Sequence, residues 1–238
     1  MKDSNEVEIN DSEMSEEKIS IRSSVIKSMM GLGLFAVLTA GLIAVTQSGT
    51  KNLIHDQVNK AKYRSLLQIV PLSEHDNDLL KDGFFIHEEA LGQDQIESAY
   101  IAKKNKESKV VILPVTAPQG YSGKIKLIVG IDVHGEIKGV RVVSHKETPG
   151  LGDKIEIKKS DWIEQFSGKS FSNTPKDDWK VEKDGGQFDG LTGATITPRA
   201  IVSAVLNSLF FFEANKETLL KAAPGSTVEI GLEKDNVQ

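Results

Sequence analysis

One run of residues combines a hydroxyl, space and an anion-stabilising end: Asp189-Gly190-Leu191-Thr192-Gly193-Ala194-Thr195-Ile196-Thr197-Pro198-Arg199. Pro198 suits the first position of a helix, where a missing N–H is no loss, and Thr197 before it is a good N-cap. Thr195 then stands just ahead of a helix N-terminus, whose free N–H groups and positive partial charge stabilise a phosphate. Gly193 and Ala194 carry almost no side chain, so a bulky group can lie against the backbone. These are the requirements of a phosphate ester on threonine. An ordinary loop capping a helix accounts for the same local features, so a phosphate site needs corroboration.

Other chemistry is sparse. The five histidines, His55, His75, His87, His134 and His145, are dispersed without metal-ligand spacing, and the chain contains no cysteine. Disulfides, thiolate zinc, Cys-held iron–sulfur clusters and c-type haem attachment are therefore excluded. The spacing predicts no metal site and no phosphate loop of the Gly-Lys-Ser/Thr type. Trp162 and Trp179 are expected in packing, and Lys158-Lys159 and Lys176-Asp177-Asp178 at a solvated surface.

The elements that must position Thr195 follow from pattern. Ser108–Val115 and Lys124–Val133 are rich in β-branched residues, and His134-Gly135 leads to a return strand over Glu136–His145. Asp161–Ser167 reads as a short helix with Asp161 and Glu164 at capping-box spacing and Gly168 as its stop. A turn is expected at Lys183–Gly186. From Pro198 to about Glu213, Val202, Val205, Leu206, Leu209 and Phe210 fall on one helix face. Strands followed by helices without regular alternation predict an α+β domain with an antiparallel sheet.

The 238 residues carry 29 Lys and Arg against 34 Asp and Glu, a net charge of -5 that excludes a basic nucleic-acid binder. The excess belongs entirely to Met1–Ser20, where seven acids face two bases. Residues 1–27 are expected to be a disordered acidic tail. Ser28–Thr50 is uncharged over 23 residues, enough for one membrane-spanning helix, since a bilayer core needs ~20. The span should continue as an amphipathic helix through Leu53, Ile54, Val58, Ala61, Leu66 and Val70 and stop at Pro71. Lys and Arg are balanced across it; a long domain translocates largely regardless of charge, so the N-terminus is placed inside and residues 51–238 outside.

The string Asp189-x-x-Thr192-Gly193-Ala194-Thr195 resembles the flavinylation motif Asp-x-x-Ser/Thr-Gly-Ala-Thr, and Glu147-Thr148-Pro149-Gly150-Leu151-Gly152 resembles a second loop of the same FMN-binding domain. Together with the span and the length, the chain resembles the G-subunit family of the Rnf/Rsx ion-translocating electron transport complexes. That resemblance implies FMN joined through its phosphate to Thr195 by a flavin transferase. It implies Thr192, Gly193 and Ala194 as motif scaffold and Glu147, Thr148, Gly150, Leu151 and Gly152 as flavin neighbours. It also implies a bacterial inner-membrane, single-pass protein with a periplasmic FMN-binding domain over 51–238. Its partners would be the remainder of the complex, the maturation transferase and the lipid bilayer, with no nucleic acid. Electrons would pass between the flavin and iron–sulfur partners, coupled to ion movement. Two alternatives stand beside it: the C subunit of sodium-pumping NADH:quinone oxidoreductase, which shares motif and topology, and a membrane-tethered binding domain without cofactor.

Overall fold

The computed structural model describes residues 11–228, and the chain divides into two compact units, Met1–Val58 and Asn59–Gln238. The acidic residues Asp3, Glu6 and Glu8 lie outside the described residues. Helix α1 runs over Asp11–Ile69. It corrects the expectation of disorder for 11–27, since the described residues of that stretch are helical.

Within the first unit, Leu32, Leu34, Phe35, Val37, Leu38, Ile43 and Val45 are all 63–71% exposed. A helix apolar on every side belongs in lipid. Two of its threonine hydroxyls bond within the helix, as hydrocarbon favours: Thr39 Oγ1 donates to the Phe35 carbonyl and Thr46 Oγ1 to that of Leu42, each at 2.9 Å.

The second unit is built on one sheet. Strands β1 (Phe84–Ile86), β2 (Glu97–Lys104), β3 (Glu107–Gly120), β4 (Gly123–Asp132), β5 (Ile137–Ser144) and β6 (Thr227–Val228) lie in the order β5-β4-β3-β2-β1-β6. All neighbours are antiparallel except β1 and β6, which pair in parallel. Both faces of β3 are covered, and its period-2 alternation sorts them. Val111, Leu113 and Val115 join the core under helix α2 (Ile196–Leu220), with Ile201, Val205 and Phe212. Val110 and Ile112 face the end of α1, where Leu66 and Ile69 are buried together with Val70 just beyond it. Helix α2 is long and apolar enough to cross a membrane, but it is a core helix packed on the sheet.

Arg141 of β5 is nearly buried and joins three segments. It donates to Gln68 Oε1 of α1 at 3.1 Å and to Glu164 Oε1 at 2.7 Å. This explains why the expected capping box at Asp161 is absent. Glu164 spends its carboxylate on Arg141 and the Ser167 hydroxyl, and Trp162–Phe166 forms a 3-10 helix without a side-chain cap.

Candidate functional site

The site forms where the β3–β4 hairpin tip, the loop after β5 and the start of α2 meet. Glu147 joins all three. It is buried, with Oε1 accepting the Ser122 N–H of the hairpin tip at 3.0 Å and Oε2 accepting the Thr197 hydroxyl on α2. Its own N–H donates to His145 Nδ1 at 3.0 Å, which leaves His145 Nε2 to donate to Glu156 Oε1 at 2.9 Å.

Past Glu147 the chain makes a tight turn. The N–H groups of Leu151 and Gly152 both donate to the Thr148 carbonyl, at 3.2 and 3.1 Å, with Pro149 and a left-handed Gly150 (φ 80°) between. Pro then Gly at the central positions is the preferred chemistry of a type II turn. Gly152 has a different use: a Cβ there would stand 2.9 Å from Glu147 Oε2 and 3.2 Å from Thr197 Oγ1.

A short helix over Gly152–Ile155 follows. Lys159, exposed as expected, also donates to Asp153 Oδ2 at 2.7 Å and pairs with Glu156 at 3.1 Å. The Lys159 ammonium holds the Asp153 carboxyl below its ordinary value of 3.8. A depressed carboxyl stabilises the fold above the unfolded value and loses that contribution as pH falls through the folded one. The expected result is an Asp153→Asn variant with a lower Tm than the parent near neutrality and a gap that closes below about pH 4. A gap independent of pH in thermal melts would show that the ion pair does not contribute.

The second loop is anchored at its first residue. The Asp189 N–H donates to Gln165 Oε1 at 2.7 Å, and the Asp189 carbonyl accepts Trp162 Nε1–H at 2.8 Å. Both tryptophans are core residues; Trp179 packs on Phe188. The loop then turns, with Ala194 N–H on the Leu191 carbonyl at 3.0 Å and Gly193 at φ 83°. A Cβ on Gly193 would come within 2.9 Å of Leu151 Cδ2. Gly193 is thus required both by its backbone and by the approach of the other loop.

Thr195 occupies the N-cap position of α2, exposed, with no side-chain cap bond. The helix begins at Ile196, which corrects the expectation of Thr197 as cap. Thr197 is instead a buried residue of the first turn, its hydroxyl committed to Glu147, and Pro198 follows it where an N–H is still dispensable. Of the three neighbouring hydroxyls, the one at Thr195 is both exposed and at the helix end.

A hollow of about 290 Å3 brings the two loops together. Glu147, Thr148, Leu151 and Gly152 line it from one side, Gly193, Ala194 and Thr195 from the other. Gly150 lies outside it, exposed at its turn, and Thr192 faces a separate hollow. Two lining residues escaped the sequence reading. Tyr121, 68% exposed, stands at the hairpin tip between Gly120 and Gly123, and Ile196 is the first residue of α2. An aromatic flanked by glycines at a hairpin tip was the available signal. The residues suit a flat, partly apolar group held at one end by a phosphate: apolar walls from Tyr121, Leu151 and Ile196, and a free hydroxyl at a helix N-terminus.

A family model described as an FMN-binding domain matches residues 120–209, which contain both loops, and a second, described as the RnfG N-terminal region, matches 14–69. A Vibrio vulnificus protein, named as the G subunit of an ion-translocating oxidoreductase complex, is 45% identical over 198 residues, covering 83% of this chain and 94% of its own. A Shewanella loihica protein of the same name is 44% identical, covering 88% and 99%. The crystal structure of Shewanella oneidensis NqrC superposes with a TM-score of 0.43 and 20% identity over 59% of this chain and 70% of that one.

Proposed function

This chain belongs to the G-subunit family of ion-translocating oxidoreductase complexes, and from that premise we propose that it is the membrane-anchored flavoprotein of such a complex, carrying FMN as a phosphoester on Thr195. The single observation that carries the attachment is the free, exposed Thr195 hydroxyl at the N-terminus of α2, on the rim of the hollow shared by both loops. Identities of 44–45% over 94–99% of the G-subunit relatives support this family over the C subunit of the sodium-pumping NADH:quinone oxidoreductase.

FMN supplies reversible electron chemistry when bound. The chain supplies the rest. Thr195 gives its hydroxyl to the ester; the N-terminal end of α2 stabilises the charge beside it; Leu151, Tyr121 and Ile196 offer the apolar walls; Glu147 fixes the loops against α2. A tether of this kind keeps the cofactor with a domain that lies outside the cytoplasm. Residues 28–50 anchor the chain in the inner membrane as a single span, residues 51–238 form the periplasmic domain, and the flavin transferase and the remainder of the complex are its partners. Electron relay within the complex, coupled to ion movement, is its activity.

Co-expression with a flavin transferase tests the reading. Intact-mass spectrometry of the purified chain should give one adduct of FMN less one water, with flavin absorbance. A colourless protein of unmodified mass would favour a membrane-tethered domain without cofactor.

A further inference from the structure

Thr195 also borders a second hollow, of about 380 Å3, lined by Lys183, Gly190, Thr192 and Arg199. Arg199 follows Thr195 by four residues, the spacing that puts two side chains on one helix face. Its guanidinium is held side-on by Asp184: Nε–H donates to Oδ2 at 2.5 Å and Nη2–H to Oδ1 at 2.7 Å. A guanidinium carries five N–H groups. This pair uses two, and Nη1 has no partner among the described residues.

Asp184 is itself placed by a short 3-10 helix, Glu182–Asp184, which ends at Gly185 with φ 82°. The ion pair therefore spans from that turn to the first turn of α2. Both members remain partly open, at 42% and 36% exposure. A pair so exposed adds little to stability, but it does fix the direction of a planar fork. Arginine forks match phosphate oxygens geometrically, and they are stronger than neutral hydrogen bonds.

We propose that Arg199, oriented by Asp184 and flanked by Lys183, is the cationic seat of the phosphodiester at Thr195. The proposal rests on the attachment read above. A diester on Thr195 carries one negative charge and two unesterified oxygens. The helix end meets part of that charge, and the free edge of Arg199 meets the rest. Asp184 is a positioning residue, acting only through Arg199.

The test is 31P NMR on the full-length flavinylated protein in detergent, beside the flavopeptide released from it by protease. In the parent the phosphodiester resonance should be displaced from that of the flavopeptide. Arg199→Gln should return it to the flavopeptide position; Arg199→Lys, which keeps charge without the fork, should leave it between the two. Asp184→Asn should shift it part of the way while the adduct mass is unchanged. A parental resonance in both Arg199→Gln and Asp184→Asn overturns the proposal. If Arg199→Gln does not fold, a parental resonance in Arg199→Lys and Asp184→Asn overturns it equally. A parent with no covalent flavin overturns the attachment reading, and this proposal with it, whereas an adduct with unmoved resonances overturns only the role of Arg199.

Discussion

Thr195→Ala is expected to abolish the proposed covalent flavin while leaving the domain folded. The residue is exposed at the N-cap of α2, and its side chain makes no cap bond, so little stability is at stake. Loss of an N-cap hydroxyl costs about 1 kcal/mol where it caps, and here the cost is smaller because the bond is absent. The nearby hydroxyls predict the contrast. Thr192→Ala is expected to retain the adduct because Thr192 lies three residues before the N-cap of α2 and is not the acceptor. Thr197 cannot substitute for Thr195, since its hydroxyl is buried against Glu147. Intact mass and visible absorbance of the variants, with circular dichroism as the folding control, read the result directly.

Glu147→Ala has the largest expected effect on the fold. It removes the acceptor of the Ser122 N–H and of the Thr197 hydroxyl together, and leaves space beneath Gly152. Orphaning two donors to a charged group, with a void added, costs roughly 3 kcal/mol, on the order of 10 °C in Tm for a domain of this size. Glu147→Gln keeps the acceptor for Ser122 and costs less. The hairpin tip, the loop after β5 and α2 then lose their common anchor, so flavin content falls with stability. A Glu147→Ala protein melting with the parent would contradict the anchoring role.

Much of this was legible in the sequence, for identifiable reasons. A run of 23 uncharged residues reads directly as a helix long and apolar enough to cross a membrane. Strands β3, β4 and β5 announced themselves because their β-branched runs are long and bounded by turns. Strand β1 is only three residues, Phe84–Ile86, and β2 mixes alanine and lysine. Their pairing comes from tertiary context, which overrides weak local preference. The parallel pairing of β6 has no local signal at all. The helical state of the described residues from Asp11 was hidden by the lack of apolar periodicity in an acidic stretch.

The same division holds at the site. Motif spacing singled out Thr195, Gly193 and Leu151, and the fold brings them to one hollow. Glu147 was expected beside the flavin, and it lines the hollow; the sequence did not show that its carboxyl is bonded to Ser122 and to Thr197, the latter fifty positions away. Thr197 looked like a cap because Thr-Pro is a good helix start, but a cap two residues earlier freed it for burial. Trp162 and Gln165 hold Asp189 across more than twenty positions of sequence, and no spacing rule reaches that far.

The proposed ester at Thr195 is read most directly by fragmentation mass spectrometry of the tryptic peptide 184–199 from the flavinylated protein. That peptide contains Thr192, Thr195 and Thr197, so its fragment series locates the group. The mass of FMN less one water is expected on every fragment containing Thr195 and on none that lacks it. The same mass on Thr192 or Thr197, or an unmodified peptide from a protein that is yellow, would contradict it.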